Sequence, residues 1–167
     1  MKRTCVLSIG IMLLFAVTMN SCSNDEKDFD YKDIIFEDNP TSLNGTWHLM
    51  KASYGWGGTR EYDPGEITIA INESKSKITV KTDTNQELYF LKDGTYQYTT
   101  STTRYRFYTY QWVEEDVPII IIDVKDGFHK SGVEYTYSIK NGYLLFDACA
   151  SADGYAYYFK KQLSNNR

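Results

Sequence analysis

From Leu43 to Lys161 apolar side chains return at every second position, and a turn signal interrupts them within about twelve residues each time. A period of two is the geometry of a strand with alternating faces, and no stretch carries the spacing of an amphipathic helix. Thr46 to Tyr54 is a first strand, with Trp47 and Leu49 on one face, closed by the flexible Gly55-Trp56-Gly57-Gly58. Pro64-Gly65 turns into Ile67, Ile69 and Ile71 on one face, and Ile78 and Val80 follow after Asn72 to Ser76. Leu88 to Leu91 meets Asp93-Gly94, a hairpin signal, ahead of Tyr96 and Tyr98. Arg104 to Trp112 is the longest alternating run, setting Tyr105, Phe107 and Thr109 opposite Arg106, Tyr108 and Tyr110. Pro118 opens Ile119 to Ile122, apolar at every position and so expected to be covered on both faces. Val133, Tyr135, Tyr137 and Ile139 alternate up to Asn141-Gly142, and Tyr143 to Cys149 and Tyr155 to Lys161 flank Asp153-Gly154. Roughly ten strands without long crossovers describe one all-β domain over residues 43–167, an antiparallel up-and-down barrel of roughly 8–10 strands. Ten strands would enclose more space than the eight that side chains can just fill, so ten would leave geometric room for an internal cavity.

The N-terminus follows different rules. Lys2-Arg3 precedes an apolar run from Val6 to Met19, about 14 residues, too short for a hydrocarbon core that needs about 20. Met19-Asn20-Ser21-Cys22 ends it and resembles a lipobox, so residues 1–21 read as a signal peptide and Cys22 as the lipidated first residue of the mature chain. An ordinary signal peptide with a chance cysteine is the alternative. Residues 22–42 are acidic, with seven carboxylates against two cations up to Asp38, and read as a solvated tether. An acidic patch behind a lipidated cysteine also resembles the surface-export signal of Bacteroidota lipoproteins. The expected location is therefore the outer membrane, held by the N-terminal lipid, on the cell surface more than the periplasmic face.

Charge and cysteine count exclude several classes. Without Lys2 and Arg3 the formal charge goes from −4 to −6, most of it in the tether, so the domain is near neutral and offers nucleic acid no basic patch. Cys5 leaves with the leader and Cys22 is acylated, which leaves Cys149 without a disulfide partner. The fold must be held by its core, and the expected state is a monomer.

Leu43-Asn44-Gly45-Thr46-Trp47-His48-Leu49 resembles the opening strand of lipocalin-like barrels, whose signature is Gly-x-Trp. Gly65 to Ile69 and Asp153 through Lys161 are similar to the same segments of lipocalin-like lipoproteins of Bacteroidota. The resemblance implies that Gly45 lets the strand bend at the barrel base and that Trp47 plugs that end. It also implies a basic residue from the last strand over the Trp47 ring, a place for Lys160 or Lys161. It supplies a fold and little function.

No residue pattern calls for catalysis. His48 sits on the strand face opposite Trp47 and His129 in the Gly127-to-Gly132 turn, so each reads as solvent-facing or structural; Glu114-Glu115-Asp116 lacks the spacing of a calcium loop, and Cys149 has no local cation. The expectation is a non-enzyme without cofactor or metal. Tyrosine is the compositional excess, with 15 residues. Its apolar ring and polar tip suit a half-wet cavity, although it is also a good strand former. The first functional reading is a small apolar or amphipathic ligand inside the barrel, contacted by Trp56, Tyr96, Tyr98, Tyr105, Arg106, Tyr108, Tyr135 and Tyr137. The second is a module with a packed core that binds a glycan or a protein through aromatic loops, Trp56 foremost.

Overall fold

The alternating segments form eleven strands among the residues that the computed structural model describes, 34–55, 57–82, 92–103, 106–108, 111–113, 116–124, 132–148 and 154–164. They are β1 (Gly45–Tyr54), β2 (Gly58–Glu61), β3 (Ile67–Asn72), β4 (Lys77–Thr82), β5 (Gly94–Thr103), β6 (Arg106–Tyr108) and β7 (Gln111–Val113). The last four are β8 (Val117–Ile122), β9 (Val133–Lys140), β10 (Tyr143–Asp147) and β11 (Tyr155–Lys161). Eight of them, β1, β3, β4, β5, β8, β9, β10 and β11, pair antiparallel in that order, and β11 pairs back onto β1 to close a barrel. Closure gives each of these eight a partner on both sides. β2 extends the edge of β1 beyond β3, and β6 with β7 forms a separate hairpin.

Two expectations about strands change. The run from Arg104 to Trp112 is not one strand; β6 and β7 divide it, with Arg106 opposite Val113 and Tyr108 opposite Gln111. Alternation reports which residues share a face, and it does not report where the chain reverses. Asp93-Gly94 likewise leads into β5 opposite β4, with Tyr96 paired to Ile78, and the Leu88 to Leu91 segment lies outside the described residues. The cylinder itself has eight strands, within the expected 8–10 and at the width that side chains can fill.

They do fill it. Trp47, Leu49, Ile67, Ile69, Ile78, Ile120, Ile122, Leu144, Phe146 and Phe159 are buried and belong to one core. The Ile119 to Ile122 run is covered fully on its inner face and only in part on the outer one, where Ile119 is buried opposite Thr136 and Ile121 is half-exposed. Along β9, β10 and β11 the inner wall is an aromatic ladder: Tyr155 stacks on Tyr157 at 6.2 Å, Tyr135 on Phe146 at 5.6 Å, and Phe146 meets Phe159 edge-on at 5.6 Å. Such pairs add about 0.5–1.5 kcal/mol each beyond their burial.

A β-bulge in β1 reverses the alternation. Leu49 faces Phe159, but the next paired residue is Lys51 opposite Tyr158, so Met50 is the extra residue. Before it Trp47 and Leu49 point inward; after it Ala52 is the buried residue and Lys51 is outside. That single insertion puts Met50 and Lys51 side by side on the outer wall.

The end of the barrel at Gly45 is plugged. Trp47 is fully buried, and its indole Nε1 donates to the Leu43 carbonyl at 2.7 Å. The cation over its ring is Lys161, with Nζ at 5.7 Å from the ring centre, not Lys160. Lys160 is one position off in the alternation and lies on the outer face, near Phe36 and Tyr143. Gly45 sits at φ +130°, and a Cβ there would meet Lys161 Cε at 2.9 Å, so the glycine makes room for the cation as well as for the bend. Order also starts before Leu43: Phe36 bridges Gln162, Glu37 N–H donates to Lys161 O, the Glu37 carboxylate pairs with Lys161 Nζ at 3.2 Å, and Pro40 is buried. Residues 35–42 are a strap across the closed end rather than solvated tether.

Candidate functional site

β10 and β11 carry apolar side chains on the outer face as well as the inner one. Tyr143 and Leu145 of β10 and Tyr158 of β11 point away from the core, and the bulge adds Met50 beside them. Across β1, Glu61 ends β2 opposite Lys51, and Tyr62 follows with its N–H donated to Met50 O at 3.0 Å. Ser138, Lys140 and Asn141 form the opposite rim, where β9 turns into β10. Together these residues line a half-open groove of about 640 Å³, the largest of the described cavities. That volume suits a small organic ligand. Two shallower hollows of about 380 and 400 Å³ lie by Gly45 and along the strap.

Each tyrosine of the groove carries a cation on one face. Lys51 Nζ is 4.3 Å from the Tyr158 ring centre, Arg60 Cζ 4.7 Å from Tyr62, and Lys160 Nζ 5.2 Å from Tyr143. The rings therefore position the charges as well as supplying flat apolar surface. Tyr62 also bonds Tyr54 through their hydroxyls at 3.1 Å, and burial, with that bond second, pushes the Tyr62 phenol far up. It stays a neutral donor at any physiological pH.

The residues that the sequence suggested for an internal ligand are placed differently. Tyr96, Tyr98, Tyr135 and Tyr137 face the interior from β5 and β9. Tyr98 and Tyr135 are buried in the core, and burial raises both phenols; Tyr96 donates its hydroxyl to Lys92 O at 2.8 Å. Tyr137 is half-buried against the same core. Arg106 and Tyr108 are placed by backbone only, in β6, while Trp56 and Tyr105 lie outside the described residues. So does Cys22 with the whole of residues 1–33, along with Glu114, Glu115, His129 and Cys149. None of the groove residues was a sequence candidate. The signal that points to them is Tyr143-Leu144-Leu145-Phe146, which has no polar position in a strand expected to have one wet face.

His48 is the described histidine, and its surroundings are structural. It lies on the outer face of β1, buried under the strap: Nε2 is 3.2 Å from Gln162 Oε1, and the Phe36 ring meets it edge-on at 5.7 Å. Nδ1 is buried with no partner, and burial lowers the imidazole pKa below its ordinary 6.5. Among the described residues no three His, Cys, Asp or Glu side chains gather as metal ligands. The chain matches no protein-family model, no curated protein and no solved structure, so the reading of this barrel rests on its own residues.

Proposed function

We propose that the protein is a non-enzymatic binding module: a lipocalin-like barrel with a packed interior, tethered to the outer membrane through a lipid on Cys22 and facing the cell surface. It binds its ligand in the groove on the outer wall. The observation that carries this reading is the contrast between a core filled by Phe146, Phe159 and Trp47 and an outer cavity of about 640 Å³ lined by Tyr62, Tyr143 and Tyr158. Exposed apolar surface gathered into one concave patch, rimmed by charge, is the usual form of a recognition site. A ligand inside the barrel is the reading that this contrast disfavours.

The test uses the mature chain with Cys22→Ser, which stays unlipidated, and the amphipathic dye anilinonaphthalene sulfonate. One dye should bind per chain, and Tyr143→Ala with Tyr158→Ala should abolish the signal without unfolding the barrel. Dye binding that survives those changes and responds instead to Tyr137→Ala would put the site inside and overturn the proposal. Anchoring is tested separately, by incorporation of labelled palmitate into the full chain and its loss in Cys22→Ala.

A further inference from the structure

The groove's charges define its ligand more closely than its volume does. Lys51, Arg60, Lys140 and Lys160 stand in or beside it, and among the described residues none of them has a carboxylate within ion-pair distance. Glu61 is the one carboxylate of the lining. In a domain that is near neutral overall, this is a local excess of positive charge set around three aromatic rings. Three of the cations already rest on those rings, so ordering them on a ligand costs little further side-chain entropy. Apolar anchors with cations that meet no carboxylate among the described residues call for an anion that also carries a flat apolar face.

The wall itself narrows the class. β10, β11 and β1 are paired on both edges, and the one open backbone row beside the groove is the outer edge of β2, whose four residues are short for an extended peptide to add to. Recognition here runs through side chains alone: ring faces, the Ser138 hydroxyl, the Asn141 amide, the Glu61 carboxylate and the lysines. That is a mixture of donors and acceptors over aromatic planes, which suits a ligand dense in hydroxyls. A second copy of the chain fits poorly, because a twofold contact would set these lysines against one another.

The geometry points to an acidic saccharide, carboxylated or sulfated, as the occupant of the outer groove, an inference that rests on the binding-module reading above. The sugar face packs on Tyr143 and Tyr158, and its anionic group takes Lys51 and Lys140 as charge-assisted donors.

Isothermal titration of the same mature chain with four oligosaccharides tests it: tetragalacturonate and a chondroitin sulfate tetrasaccharide as the acids, maltotetraose and cellotetraose as the neutral controls. At least one acid should bind about tenfold or more tighter than either neutral sugar, the scale of one or two hydrogen bonds to charged groups. Its affinity should weaken as salt rises. Lys51→Gln with Lys140→Gln should remove that preference while the barrel stays folded, with a drop in melting temperature no larger than loss of the Lys51–Tyr158 contact explains. Neutral sugars binding as tightly as the acids would overturn the inference. So would silence from all four sugars while the dye still reports on the groove; that result leaves the binding-module reading standing. Silence from sugars and dye together brings down both.

Discussion

β10 and β11 present aromatic side chains on both of their faces, with Tyr135 of β9 joining them inside, and the two faces behave as different materials. Inside, Tyr135, Phe146, Tyr157 and Phe159 press against one another and are almost wholly shielded from water. Outside, Tyr143 and Tyr158 are half-exposed, and each has a lysine ammonium over its ring. The same residue type therefore serves cohesion on one face and presentation on the other. What separates the roles is the neighbour: an aromatic partner excludes water, and an ammonium group needs it. Core aromatics should set stability and wall aromatics should set binding, and substitutions can be ranked by which face they touch.

The largest effect belongs to the inner wall. Phe146→Ala should cost about 3–5 kcal/mol, the range for deleting a buried phenylalanine in a rigid core. Urea denaturation followed by tyrosine fluorescence measures it. A loss near 1 kcal/mol or less would mean that the interior is loose, and would revive a cavity inside the barrel.

Gly45→Ala comes next, at the closed end of the same interior. A backbone held at φ +130° costs a residue with Cβ about 1–3 kcal/mol. The new methyl also presses on Lys161, whose flexible tail must leave its place over Trp47. The prediction is a stability loss in this range together with weaker protection of the strap in hydrogen exchange. Stability unchanged from the parent would show that the bend tolerates a side chain.

These two positions also show what the sequence made legible. Period-two spacing put Trp47, Leu49, Ile67, Ile69, Ile71, Ile78 and Val80 on inner faces, and the structure has them there. Trp47 of the Gly-x-Trp phrase lies fully buried at the Gly45 end, with Lys161 over its ring. The bulge at Met50 was not legible, because one extra residue leaves no trace in composition and yet reverses every later side chain of β1. The choice of Lys161 over Lys160 is decided by pairing register, which adjacent lysines cannot encode. The groove was hidden for a different reason. It joins Met50, Glu61, Lys140, Tyr143 and Tyr158, which are remote in the chain and meet only because β11 closes on β1.

His48 breaks the comparison in a useful way, since it stands on the outer face yet is buried like a core residue. Its neighbours are Phe36, Gln162 and, beyond the Phe36 ring, the Lys160 ammonium, none of which accepts a proton from Nδ1. Burial holds its pKa below 6.5, so as pH falls the unfolded chain takes up this proton before the folded one. The contribution of His48 is complete above about pH 6.5 and declines below it. Melting temperatures at pH 7.5 and 5.5 should therefore diverge more in the parent than in His48→Phe, which fills the slot without a titrating nitrogen. Equal differences in the two proteins would assign the pH response to other groups.

Tyr143→Ala should have the smallest effect on folding and the sharpest meaning for the groove. The side chain is half-exposed on the outer wall, and its described ring contact is the Lys160 ammonium at 5.2 Å, an interaction of about 0.5–1 kcal/mol at an open site. Losing it with part of the ring's burial should lower stability by about 1 kcal/mol, well under the Phe146 loss on the inner face of the same strand. Dye or saccharide binding should fall at least tenfold, the converse of what Phe146→Ala does to any barrel that still folds. If Tyr143→Ala destabilised the protein as much as Phe146→Ala, the outer wall would be a second core awaiting cover, and the distinction between cohesion and presentation would fail on the strand where both faces are aromatic.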